Sequence, residues 1–418
     1  MPSADPTPLT GAARPPLHVL WLTFPAYGHL KASLAVMEEL VGRGHRVTCV
    51  VAERLADRVA STGARILTYR TSFPESIATE PGSETATTML LAFLRESFAP
   101  LETALAAAAA DPPDLVAHDA LASDTAVAVA RLHRVPTVRT YAGFGTNDQV
   151  PLNGTEAEPG RAPADPADPR LRELGTLLSE RVERAGVAAV LADGPANGDG
   201  AALNVAFVTR DFQPGGDTFG DDYCFAGPCP RPADLAGSWA PPPGGAPVLL
   251  VSLGTSVNRR PDFFRACADT FAGTPWHVVM TLGSGVDPAS LGALPPNVEA
   301  HPWVQHPLVL EHASAFVCQG GIGSLNEAFQ QGVPAVVVPQ QWDQYGTARR
   351  VEELGLGRIL DPGQLTAATL RTAVEEIAVD HRMRERVAAM RRSVRAAPGA
   401  RGVADRFEAV ASGALVQG

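Results

Sequence analysis

Two polar residues stand beside apolar strand-like runs, where enzymes often place reactive groups. His29 follows the run 17–24 (LHVLWLTF) at the mouth of a helix, and Asp119 follows the short run 114–117. A neutral imidazole can accept a proton from a hydroxyl. A carboxylate on its other ring nitrogen fixes the tautomer and stabilises the charge gained. Plainer roles fit the same residues, His29 as a polar helix-start residue and Asp119 as the N-cap of a helix beginning near Leu121. His118 is a weaker rival to Asp119. His45 reads as a solvated turn residue, and His133 as a helix-end residue favoured by the dipole.

Residues 303–346 carry a second kind of chemistry. The apolar run 316–318 ends in Gln319-Gly320-Gly321-Ile322-Gly323-Ser324, and Leu325, Ala328 and Phe329 then recur at helical spacing until Gly332 and Pro334 stop the helix. A glycine-rich strand-to-helix turn presents unpaired N–H groups and the positive end of a helix dipole, which suits a phosphate. Packing that needs small residues explains such a turn equally well, so its neighbours matter. Trp303 can stack on a flat base, and Glu327, one helical turn beyond Ser324, can accept from ribose hydroxyls. Asp343 and Gln344 open the following loop and can hold a polyhydroxylated group. Thr255 closes the run 248–254 in a second turn able to hold an anion. Base, ribose, diphosphate and sugar thus find partners in the order a nucleotide sugar requires. The chain shows no aspartate pair suited to a metal, so neither metal nor other cofactor is expected.

Alternating strands and helices position these groups. In the first half, strands are expected at 17–24, 46–51, 65–69, 114–117 and 136–140, separated by helices that include one long alanine-rich helix over 84–109. In the second half they are expected at 248–254, 277–282, 297–301, 316–318 and 335–338. Such alternation implies right-handed crossovers and parallel sheets covered on both faces. The 418 residues exceed what one core supports, about 250–300. The expected fold is α/β, with two doubly wound Rossmann-like domains facing across a cleft. The expected division is a disordered tail over 1–16, an acceptor-binding domain over 17–226 and a proline- and glycine-rich linker over 227–247; a donor-binding domain over 248–400 follows, and a terminal helix over 401–418 packs back toward the first domain. Between 150 and 201 both periods fade, which suggests a mobile loop over an apolar acceptor pocket.

Composition narrows the partners. A formal net charge of −11 disfavours nucleic acid and anionic membranes. No apolar run has the length of a bilayer span and the first residues lack a signal-like segment, so a cytoplasmic protein is expected. Five scattered cysteines, an odd number, suggest neither a disulfide framework nor a zinc site.

From residue 17 to its terminal helix the chain resembles the UDP-glycosyltransferase superfamily with the GT-B fold, most closely the actinobacterial macrolide glycosyltransferases. Residues 303–344 resemble that family's donor signature, and FPAYGHLKASLAVMEELVGRGHRVT is similar to its first strand and helix. The resemblance implies His29 as catalytic base and Asp119 as its support. It implies donor contacts from Thr255, Trp303, Val304, Gln319, Gly321, Gly323, Ser324, Glu327, Asp343 and Gln344. The implied reaction is metal-independent, inverting transfer of a hexose, with UDP-glucose favoured, to a hydroxyl of a small apolar acceptor such as a macrolide. The implied setting is antibiotic resistance or biosynthesis, with a monomer or homodimer. Four residues at three places depart from the family pattern. Gln319 stands where members usually carry a diphosphate-binding histidine, Gln305-His306 replaces Pro-Gln, and Gly323 replaces Asn or Ala. A non-catalytic partner of another glycosyltransferase, or a sugar-nucleotide epimerase of the same architecture, shares these features.

Overall fold

The computed structural model describes residues 15–75, 83–151, 164–192, 200–255, 258–341 and 343–414. The proposed tail therefore lies almost wholly outside the described residues, as does much of the loose stretch after Val150. The first sheet contains β1 (His18–Leu22), β2 (Arg46–Ala52), β3 (Arg65–Tyr69), β4 (Leu115–Asp119), β5 (Thr137–Tyr141), β6 (Leu203–Ala206) and β7 (Tyr223–Phe225). Its strands are all parallel, in the order β3-β2-β1-β4-β5-β6-β7. The second contains β8 (Val248–Ser252), β9 (His277–Thr281), β10 (Val298–His301), β11 (Ala313–Cys318), β12 (Ala335–Val337) and β13 (Gly357–Ile359), again parallel, in the order β10-β9-β8-β11-β12-β13. Each domain is doubly wound. In each, the direction of winding reverses between two central neighbours, β1 with β4 and β8 with β11. Ligands of open parallel sheets sit at such reversals, beyond the carboxyl ends of the strands.

Several elements differ from the sequence expectation, each for a local reason. The long helix over 84–109 is two helices, Ser83–Phe98 and Leu101–Ala110, because Pro100 cannot donate into the ladder and caps the second helix instead. Strands β6, β7 and β13 carry three or four residues each, too few to set up a period, and they form only because a sheet edge is there to receive them. His45 is not a solvated turn residue. Its Nδ1 accepts from the Leu17 amide at 3.1 Å and its Nε2 meets Glu408 at 3.1 Å, which ties the last helix to the first domain.

That last helix, Gly399–Ala411, lies on the first sheet's core. Phe407 stacks on Trp21 with ring centroids 5.4 Å apart, and Val403, Ala404 and Val410 join the same buried cluster as β1, β2 and β6. Between residues 227 and 247 the chain is anchored at both ends. Arg231 donates to Glu38 of the first domain at 3.0 Å, and Trp239 donates to Glu299 of the second at 2.8 Å. The domains also pack directly on one another. Asn326 donates to the carbonyl of Phe207 at 2.7 Å, Arg350 donates to the carbonyls of Asp211 and Phe212 at 3.0 Å, and Phe212 meets Phe329 edge-on at 5.3 Å. All five cysteines are buried and unbridged.

Candidate active site

The helix Tyr27–Gly42 begins five residues after β1 and sets His29 beside the end of β4. Nδ1 of His29 lies 2.8 Å from Oδ2 of Asp119. The other carboxylate oxygen of Asp119 accepts from the Leu121 amide at 2.9 Å. The N-cap and the histidine-orienting carboxylate are therefore one residue, one oxygen for each duty. Burial opposes a charged imidazole at His29, yet Asp119, by charge and hydrogen bond, and Asp343, by charge, outweigh it and raise the pKa above its ordinary value. His118 takes no part in this pair. It is fully buried on β4, its Nδ1 meets the Asp119 carbonyl at 2.9 Å, and burial with the nearby Arg139 lowers its pKa to about 4, so it is neutral at physiological pH.

Aromatic side chains wall the histidine. Phe24 lies 5.1 Å from the His29 ring, and Phe73 and Phe93 pack on Phe24 at 4.7 and 5.7 Å. With Met89 they form a small apolar cluster separate from the main cores. Sequence reasoning placed the apolar pocket in the stretch after Val150 and missed these residues. Phe73 and Phe93 share no motif with His29 and reach Phe24, which lies against it, only through tertiary packing.

In the second domain, the turns after β8 and β11 meet through Gln319. A Cβ on Gly254 would fall 2.1 Å from the Gln319 amide nitrogen, and Gly254 has φ +69°, so glycine is required there. Thr255, beside it, is exposed. Gln319 is 7% exposed, and its Oε1 has no hydrogen-bond partner among the described residues. The helix Ile322–Gln331 then starts at Gly321, with no side chain capping its amides. A Cβ added at Gly323 would meet nothing within 4 Å, and Ser324 is half-buried in the first turn. The glycine most constrained in this turn is Gly320, which the sequence analysis did not single out. Its φ is +95°, and an added Cβ would lie 2.9 Å from Val337 and 3.2 Å from the Gln344 carbonyl.

The remaining candidates lie around this turn. Trp303 is 48% exposed, and its ring meets Tyr27 of the first domain edge-on at 6.3 Å. The side chain of Val304 packs against the second core, which leaves its backbone for any ligand contact. Glu327 pairs with Lys31 of the first domain and lies 3.3 Å from Nδ1 of His306. Burial pushes its pKa up, but His306 and Lys31 outweigh burial and hold it at about 2. Gln344 spends its carbonyl oxygen inside the protein, accepting from the amides of Gln340 at 2.8 Å and Gln341 at 3.2 Å. Only its amino end remains for a ligand. Asp343 starts the next helix, Asp343–Glu353, and opens to solvent. Desolvation raises its carboxyl pKa, and the charge of His29 pulls it down. Among the described residues, no group of three or more His, Cys, Asp or Glu side chains is placed to hold a metal ion, and no helix is long and apolar enough to cross a membrane.

Residues 269–410 match the model of the erythromycin biosynthesis protein CIII-like C-terminal domain. The chain is 35% identical to demethyllactenocin mycarosyltransferase of Streptomyces fradiae, across 94% of this chain and 87% of that one. It is 33% identical to oleandomycin glycosyltransferase of Streptomyces antibioticus, across 94% and 91%. Among solved structures, the calicheamicin glycosyltransferase superposes with a TM-score of 0.81 at 37% identity, covering 95% of this chain and 98% of that one.

Proposed function

The chain belongs to the macrolide and nucleotide-sugar glycosyltransferases of the GT-B fold, and from that membership we propose that it transfers a hexose from a nucleoside diphosphate sugar, UDP-glucose in preference, to a hydroxyl of a small apolar acceptor such as a macrolide. The observation that carries this reading is the 2.8 Å contact between His29 and Asp119 beneath an aromatic wall. With Nδ1–H donated to Asp119, the lone pair of His29 is on Nε2. Nε2 takes the proton of the acceptor hydroxyl, the oxygen attacks the anomeric carbon opposite the diphosphate, and the bond from that carbon to the phosphate oxygen breaks with its electron pair on the leaving group. One displacement inverts the configuration.

The leaving diphosphate is assigned to the uncapped amides at the start of helix Ile322–Gln331 and to Thr255, with the helix dipole opposing its charge and no metal required. Phe24, Phe73, Phe93 and Met89 offer an apolar acceptor its surface. UDP-glucose follows from the resemblance of residues 303–344 to the UDP-glycosyltransferase donor signature. The test is His29→Ala with a macrolide acceptor, alongside thermal shifts with UDP, TDP and GDP. Transfer should fall at least about 100-fold, the scale of general-base catalysis, while the nucleotide shift persists. Undiminished transfer overturns the base assignment, and no shift with any diphosphate overturns the donor site.

A further inference from the structure

Three residues at the start of one first-domain helix each engage a donor-site candidate of the second domain. Tyr27 meets Trp303 edge-on, His29 feels the charge of Asp343, and Lys31 donates from Nζ to Oε1 of Glu327. The third contact is the most constrained. The Glu327 side chain is 13% exposed and that of Lys31 31%, and His306, also 13% exposed, approaches the other carboxylate oxygen at 3.3 Å. An ionised carboxylate offers roughly four lone-pair positions. Lys31 and His306 take one on each oxygen, which leaves one on each for a pair of neighbouring hydroxyls.

We infer that Lys31 is a positioning residue for the donor: reaching across the cleft from the helix that carries His29, it orients the Glu327 carboxylate and keeps it ionised for the two hydroxyls of the donor's ribose. This rests on the donor-site reading of residues 303–344. Lys31 and His29 lie within one turn of the same helix, so a single helix start both supports the ribose site and carries the base.

The test is calorimetric titration of wild type, Lys31→Met, Lys31→Arg, Glu327→Gln and the Lys31→Met/Glu327→Gln double variant with UDP and with 2′,3′-dideoxy-UDP. Lys31→Met should weaken UDP about tenfold, the scale of a lost hydrogen bond to a charged group, and Lys31→Arg should restore most of it. The dideoxy compound, lacking the hydroxyls, should bind wild type and Lys31→Met alike. The double variant should bind UDP no more weakly than Glu327→Gln alone, because the two residues act as a unit. In kinetics the donor KM should rise while the acceptor KM holds. Equal UDP binding by wild type and Lys31→Met, or an equal loss for the dideoxy compound, overturns the inference. If Lys31→Met does not fold, unchanged UDP binding by Glu327→Gln overturns it. Wild type that binds none of UDP, TDP and GDP instead refutes the donor site on which the inference stands.

Discussion

Replacing Asp119 with asparagine separates the two duties of that residue. An asparagine carbonyl can still accept from the Leu121 amide, so the cap at 2.9 Å survives. What disappears is the charge 2.8 Å from Nδ1 of His29. A hydrogen bond to a charged partner contributes about 1.5–3 kcal/mol, and each 1.36 kcal/mol is tenfold in rate, so maximal turnover should fall about 10- to 100-fold. The pH profile should move as well, and its sign is set. In wild type, Asp119 and Asp343 raise the pKa of His29 above its ordinary 6.5, and a general base must be neutral, so the acid limb of kcat/KM lies above that value. Without Asp119, the burial that disfavours imidazolium is opposed only by Asp343, and the limb shifts to lower pH. The pair's contribution to stability follows the same sign, complete below the unfolded histidine's pKa and lost as pH rises through the raised folded value. The assay is kcat/KM between pH 5 and 9, on the order of the range over which histidine titrates. An unchanged plateau with an unmoved limb would mean that Asp119 acts only as a cap, and a lowered plateau with an unmoved limb would refute the charge pairing that sets the His29 pKa.

Two further substitutions probe the ends of the site. Gln319→His places an imidazole where an amide carbonyl has no partner, so UDP should bind about tenfold tighter at pH 6, with a smaller gain at pH 8 as the ring loses its proton; equal affinity at both values would show that the position does not face the diphosphate. Phe407→Ala removes a fully buried ring stacked on Trp21 and should cost about 3–5 kcal/mol, read as a lowered urea midpoint; a loss under about 1 kcal/mol would mean that the last helix is not part of the first core.

Both sheets were legible because their central strands are continuous apolar runs bounded by turn residues. Strands such as 18–22 and 248–252 need no tertiary information to be found. Strands β6, β7 and β13, at the ends of their sheets farthest along the chain, were not legible, since their three or four residues carry no period and gain their hydrogen bonds only from a neighbour already in place. His29 and Asp119 could be nominated because each follows a strand at its carboxyl end. That they share a hydrogen bond depends on β1 and β4 being neighbours at the point where the winding reverses.

Sequence alone determined which local pieces can do chemistry: a histidine at a helix mouth, an aspartate at a strand end, a glycine turn with an uncapped helix, and a carboxylate one turn further on. Their spacing along the chain sufficed because each piece is built from neighbours in sequence. Tertiary structure decided what those pieces touch. Lys31 and Glu327 are 296 residues apart, the Phe24–Phe73–Phe93 wall forms from three separate segments, and Gly320 is hemmed in by Val337 and Gln344 in addition to the positive φ of its own turn. Such contacts depend on how whole domains pack, and no local pattern records which side chains that packing will bring together.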